Sequence, residues 1–172
     1  MIYYLGQFLS EFAGPFRLFT SYIFLAGLGT AAAALLTWWL LPKYWNLLPM
    51  DRGREYAVDA DKSVGKPMSA GILFIPLFAG ISLLVVPFDW MFVEILLCVL
   101  IAMVVGYLDD LAEHGWSEYR LGAIDLVIAF FASLIICQFE PYTIWLPLFK
   151  DPIEVGPILF IMGATPLIWL SL

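Results

Sequence analysis

Two adjacent carboxylates, Asp109 and Asp110, close a long apolar run, Ile95–Leu108. If that run is a helix, its carboxyl end carries partial negative charge, which repels anions. Neighbouring carboxylates also repel each other, more strongly where the dielectric is low. Such a pair persists most easily where a cation or a chemical task holds it. Successive helical residues point about 100° apart, so the two acids can share one site only if the helix ends there or a cation bridges them. Two solvated acids capping a loop would satisfy the same pattern.

A second feature is Gly65-Lys66-Pro67-Met68-Ser69-Ala70-Gly71. Pro67 suits the first helical position. The free N–H groups after it, beside the small side chains of Ser69, Ala70 and Gly71, would let a ligand approach an anion-binding helix terminus. Lys62 and Lys66 stand next to it. The plainer alternative is an ordinary helix start whose small residues pack on a neighbour. Lesser candidates are Asp125, which either faces a cavity or reaches the surface, and Arg120, which either anchors a span end to lipid phosphates or touches substrate. His114, the single histidine, reads as a solvated surface residue, and Glu94 as structural.

The elements that must position these residues are membrane spans. Hydrophobic residues make up 63% of the chain and charged residues 13%, against roughly a quarter charged in a soluble domain. The mean hydropathy is +0.93. A formal charge of −7 argues against a nucleic-acid partner, which asks for a basic surface. Cys98 and Cys137 sit inside apolar runs and read as small buried hydrophobes, not as a disulfide or metal pair. No basic leader with a small-residue cleavage site precedes the first long run, so no cleaved signal peptide is expected.

A bilayer core takes about 20 apolar residues per helix, and the pattern predicts five transmembrane helices: 18–42, 67–88, 90–108, 121–138 and 155–172. The fold class is therefore an all-α polytopic membrane protein, with 1–172 as a single integral membrane domain. Orientation follows from the basic residues. Lys43, Arg52, Arg54, Lys62 and Lys66 fall in one loop and Arg120 in another, against Arg17 and Lys150 on the opposite side. The amino terminus is then outside, and both chemically interesting segments lie on the cytoplasmic face. Met1–Pro15 is mildly amphipathic and is expected on the outer interface. Pro141–Pro157 has strand-like residues around a turn at Lys150–Asp151–Pro152, which predicts a small external β-hairpin between spans four and five. Trp38, Trp39, Trp45, Trp90, Trp116 and Trp145 fall near span ends, as an aromatic belt requires. A basic anion cradle and an acidic pair at one membrane surface point together to a nucleotide diphosphate with a divalent ion.

The chain resembles the amino-terminal half of the phospho-N-acetylmuramoyl-pentapeptide transferases, the MraY-type enzymes of the polyprenyl-phosphate sugar-phosphate transferase superfamily. The opening MIYYLGQFL and the following FRLFTSYIFLAGLGTAAAALL look like that family's first segment and span. VGKPMSAGILFI occupies the place of its Gly-Thr-Pro-Thr-Met-Gly-Gly motif, GYLDD that of its paired aspartates, and GWSEYRLGAIDL that of the segment opening its fourth span. Both motif threonines are replaced, by Lys66 and Met68, and the first closing glycine is Ala70. The family has ten spans, so the expectation is a chain forming the first half of a longer protein, with part of the site beyond Leu172.

The resemblance implies transfer of phospho-N-acetylmuramoyl-pentapeptide from its UDP donor to undecaprenyl phosphate, giving lipid I and UMP in peptidoglycan synthesis. It implies a magnesium-dependent enzyme of the bacterial cytoplasmic membrane, working on the cytoplasmic face as a homodimer in the lipid bilayer. Asp109 and Asp110 would be the catalytic and metal-holding residues, with Lys62, Lys66, Ser69, Arg120 and Asp125 at the substrate. Two other readings fit the residues: a sister transferase using UDP-N-acetylglucosamine, and a small transporter or assembly subunit with the acids as an ion path. The latter expects charges near mid-bilayer, whereas Asp109, Asp110, Asp125 and Glu94 lie near span ends.

Overall fold

The computed structural model describes residues 1–51, 64–112, 115–145 and 151–172. Arg52, Arg54, Lys62, Glu113, His114 and Lys150 lie outside the described residues, and with Lys150 goes the start of the expected hairpin turn. The chain divides into two compact units, Met1–Asp89 with Met103–Gly115, and Trp90–Ala102 with Trp116–Leu172.

The first unit opens with α1 (Ile2–Ser10), the amphipathic segment expected at the amino terminus. A 3-10 stretch, Gly14–Thr20, turns the chain into α2 (Tyr22–Tyr44), which runs on through a 3-10 turn at Trp45–Leu47. α3 (Gly71–Val85) packs on α2, and the carboxyl end of α4 (Trp90–Leu111) completes the unit. Pro42 sits near the carboxyl end of α2, where its missing N–H costs the helix one i→i−4 bond, to the Trp38 carbonyl. Lys43 lays its ammonium over the Trp39 ring at 5.1 Å.

Gly6 is the buried point of α1. A Cβ there would stand 2.5 Å from Phe19 Cβ and 3.0 Å from the Phe19 carbonyl carbon. Backbone cannot yield as a flexible side chain can, so Gly6→Ala is expected to weaken the packing of α1 on the 3-10 stretch by roughly 1–3 kcal/mol. Thermal unfolding in detergent reads this, and an unchanged midpoint would contradict it.

In the second unit α5 (Glu118–Cys137) starts at Ser117, whose hydroxyl accepts the Arg120 N–H at 3.4 Å. Glu118 adds negative charge to that first turn, where the helix dipole favours it. The strands β1 (Tyr142–Ile144) and β2 (Ile153–Val155) pair antiparallel, Tyr142 opposite Val155 and Ile144 opposite Ile153. α6 (Pro157–Ser171) then returns along α5.

Three contacts stitch this return. Cys137 Sγ donates to the Pro157 carbonyl at 3.7 Å, the Ser133 and Thr165 hydroxyls meet at 2.7 Å, and Trp169 Nε1 donates to the Gly122 carbonyl at 2.8 Å. Ala129, Ser133 and Cys137 recur every fourth residue, on one helix face, and all three are fully buried. Small residues let the two backbones approach. The hairpin is tied to the same pair: Tyr142 donates to the Ile136 carbonyl at 2.7 Å and stacks on Phe160 at 4.6 Å. Cys137 and Cys98 are free thiols, the first buried and the second half-buried.

Among the described residues, three helical segments are long and apolar enough to cross a membrane: Tyr22–Leu47, Trp90–Leu111 and Glu118–Cys137. With 6%, 11% and 22% of these segments buried inside the chain, most of their apolar surface is left for lipid or other helices. The chain is thus a membrane protein. The expected second and fifth spans are realised as 15-residue helices, roughly 22 Å long against a hydrocarbon core of about 30 Å. Hydropathy had counted residues whose backbone does other work: residues 67–70 before α3, 86–88 after it, and Val155 in β2.

Candidate active site

Asp109 and Asp110 lie inside the last turn of α4, not beyond it. The helix continues to Leu111, and the Ala112 N–H closes it on the Asp109 carbonyl at 3.1 Å. Asp110 is exposed and Asp109 half-buried. Asp109 Oδ1 faces Gly115, where a Cβ would stand 3.8 Å away. Gly115 has φ +65, a left-handed turn that glycine makes without strain.

The glycine-rich segment meets this helix end, but not in the expected form. Pro67 does not begin a helix. It pairs with Met50 in an isolated antiparallel bridge. Three backbone bonds build a clip around that bridge: Asp51 N–H to the Lys66 carbonyl at 2.8 Å, Gly65 N–H to the Asp51 carbonyl at 2.9 Å, and Met68 N–H to the Pro49 carbonyl at 2.8 Å. Proline is tolerated because a lone bridge asks little of its missing donor. Gly65, at φ +81, supplies the left-handed turn that closes the clip.

Ser69 then takes φ 56, also left-handed and uncommon for a residue with a side chain. Ala70 follows in the right-handed region and α3 begins at Gly71. This reversal carries the Ser69 hydroxyl to Oδ2 of Asp110, to which it donates across 41 residues of sequence. The residue before the start of α3 and the end of α4 are thereby at one place. The N–H donors of the α3 start are partly spent within the chain: Ile72 N–H bonds the Ser69 carbonyl at 3.1 Å and Leu73 N–H the Ala70 carbonyl at 3.0 Å. The expected anion-binding helix terminus directly after Pro67 is therefore displaced and partly satisfied.

Lys66 contributes its carbonyl to the clip and is exposed. Lys62 lies outside the described residues. Arg120 and Asp125 belong to the second unit. There the Arg120 guanidinium stacks over Trp116, 4.1 Å from the ring centroid, and Asp125 is half-buried on α5. Sequence reasoning placed Asp110 and Ser69 at one surface but did not pair them; no local spacing signals a contact between two helix ends. Among the described residues no group of three His, Cys, Asp or Glu side chains converges on a metal position. Two carboxylates are nonetheless a donor set that magnesium accepts when phosphate oxygens and water complete its shell.

No family model and no solved structure matches the chain. Curated proteins do. The phospho-N-acetylmuramoyl-pentapeptide-transferases of two Treponema pallidum strains are each 36% identical over 169 residues, 96% of this chain and 47% of the relative. By sequence, the chain is a homologue of the phospho-N-acetylmuramoyl-pentapeptide transferases. It spans about half the length of the curated transferases it matches, consistent with their amino-terminal half.

Proposed function

We propose that this chain forms part of a membrane transferase that moves phospho-N-acetylmuramoyl-pentapeptide from UDP to undecaprenyl phosphate. The relationship to the transferases over 96% of the chain carries this reading. The meeting of Ser69 with Asp110, which joins the glycine-rich segment to the paired aspartates, supports it.

An oxygen of undecaprenyl phosphate attacks the sugar-linked phosphorus. A new P–O–P bond forms, the P–O bond to UMP breaks, and UMP leaves with the electron pair. The product is lipid I. Two anions must approach, so charge neutralisation dominates the barrier. Asp109 and Asp110 would hold a magnesium ion, which offsets phosphate charge when bound. One of the two aspartates keeps the attacking phosphate ionised. Lys66 and Lys62 contact the diphosphate, with Arg120 and Asp125 at the substrate. The site faces the cytoplasm from a bacterial inner membrane, with the amino terminus outside, and the protein works as a homodimer.

The test is UMP release by protein purified at its natural length from membranes, with undecaprenyl phosphate and magnesium. Release with UDP-N-acetylmuramoyl-pentapeptide and not with UDP-N-acetylglucosamine is the expected outcome. The reverse preference would assign the sister transferase. Release with neither donor would move the chain out of enzymology and towards a transport or assembly role.

A further inference from the structure

We infer that Ser69 is a positioning residue, whose hydroxyl sets the orientation of the Asp110 carboxylate for a divalent cation; only what that cation then does rests on the transferase reading. Asp110 is exposed on the last turn of α4. A carboxylate in that position turns freely among rotamers. Its hydrogen-bond partner, by contrast, is held at both ends. On one side stands the Pro49–Met68 clip with its three backbone bonds, and on the other the first turn of α3, bonded back to the Ser69 and Ala70 carbonyls. Ser69 itself is half-buried.

The backbone at Ser69 carries the second half of the inference. A left-handed conformation is the natural place for glycine or asparagine. Here it holds a serine at φ 56, and that conformation delivers the hydroxyl to Oδ2 of Asp110. Strain of this kind persists where surrounding structure over-determines it and where the group it presents has work to do. Ser69 here directs its hydroxyl proton to a carboxylate. It binds one carboxylate oxygen of Asp110 and fixes the direction of the other. Partners that orient a metal-holding carboxylate change metal affinity without touching the metal.

Three replacements separate this role from a purely conformational one. Ser69→Ala removes the hydroxyl and keeps the strain. Ser69→Gly removes the hydroxyl and relieves the strain. Ser69→Asn suits the left-handed region and restores a donor in its amide. The primary readout is Mn2+ affinity, followed by electron paramagnetic resonance on the natural-length protein in detergent, with Asp110→Asn as the reference that loses binding. Ala and Gly are both expected to weaken Mn2+ binding by about tenfold, with Asn close to the parent. Thermal unfolding is expected to place Gly no lower than the parent.

Parent-like Mn2+ affinity in the Gly variant, with or without a defect in Ala, would mean that the hydroxyl does not set the carboxylate and would overturn the inference. So would Mn2+ binding that is indifferent to Asp110. Mn2+ binding that follows the expected order, in a protein releasing no UMP from either donor, would remove the transferase reading and leave the positioning role standing.

Discussion

Asp110→Asn is expected to lower muramyl-donor-dependent UMP release by roughly a thousandfold while the fold stands. That factor corresponds to about 4 kcal/mol of barrier. The two parts of this expectation have separate causes. Asp110 is exposed at the end of α4, so its charge supports no buried network that the fold needs. Asparagine has the same shape, and its amide oxygen can still accept the Ser69 hydroxyl. What is lost is the negative charge, at the point where two phosphates and a magnesium ion would meet. Steady-state UMP release, with circular dichroism and thermal unfolding on the same preparation, separates activity from folding. Near-normal turnover would sink the placing of Asp110 in the site. A collapse of the unfolding midpoint would show instead that the residue is structural.

The second large effect belongs to the seam between α5 and α6. Ser133→Leu is expected to destabilise their packing by roughly 2–4 kcal/mol. Ser133 is fully buried between Ala129 and Cys137 on one face of α5, with its hydroxyl at 2.7 Å from that of Thr165. Leucine would force apart backbones that small residues bring together, and would also break that hydrogen bond. Ser133→Ala removes the bond alone and is expected to cost only about 0.6 kcal/mol, typical of an interhelical hydrogen bond in a membrane. Its hydroxyl also bonds the Phe130 carbonyl within its own helix, so the backbone acceptor loses little. Thermal unfolding in detergent, with limited proteolysis to report release of α6, distinguishes the two variants. Equal stability of Ser133→Leu and the parent would mean that the seam does not hold α6.

Composition and hydropathy sufficed for the membrane character, the paired acids at the end of the third apolar run, and the strand-forming character of Tyr142–Ile144 and Ile153–Val155. They also located the helices that became α2, α4 and α5, to within a few residues. These properties are local. A long apolar run without interrupting charge is helical in lipid whatever its neighbours do, because its backbone groups have no other partners there. The start of α3 escaped such reasoning. Pro67 is an apt first residue for a helix, yet Met50 and Pro67 form a bridge and the backbone bonds of Pro49, Asp51, Gly65, Lys66 and Met68 hold the chain extended until Ser69. Those bonds are made by main-chain atoms, which every sequence possesses, so side-chain pattern says nothing of them. The seam of Ala129, Ser133 and Cys137 likewise reads as ordinary small residues until α6 lies on it. Residue types alone put two carboxylates and a small polar loop at the same membrane surface. Only the tertiary structure decided that Ser69 and Asp110 are bonded, because a contact across 41 residues exists only when two helix ends are brought to one place.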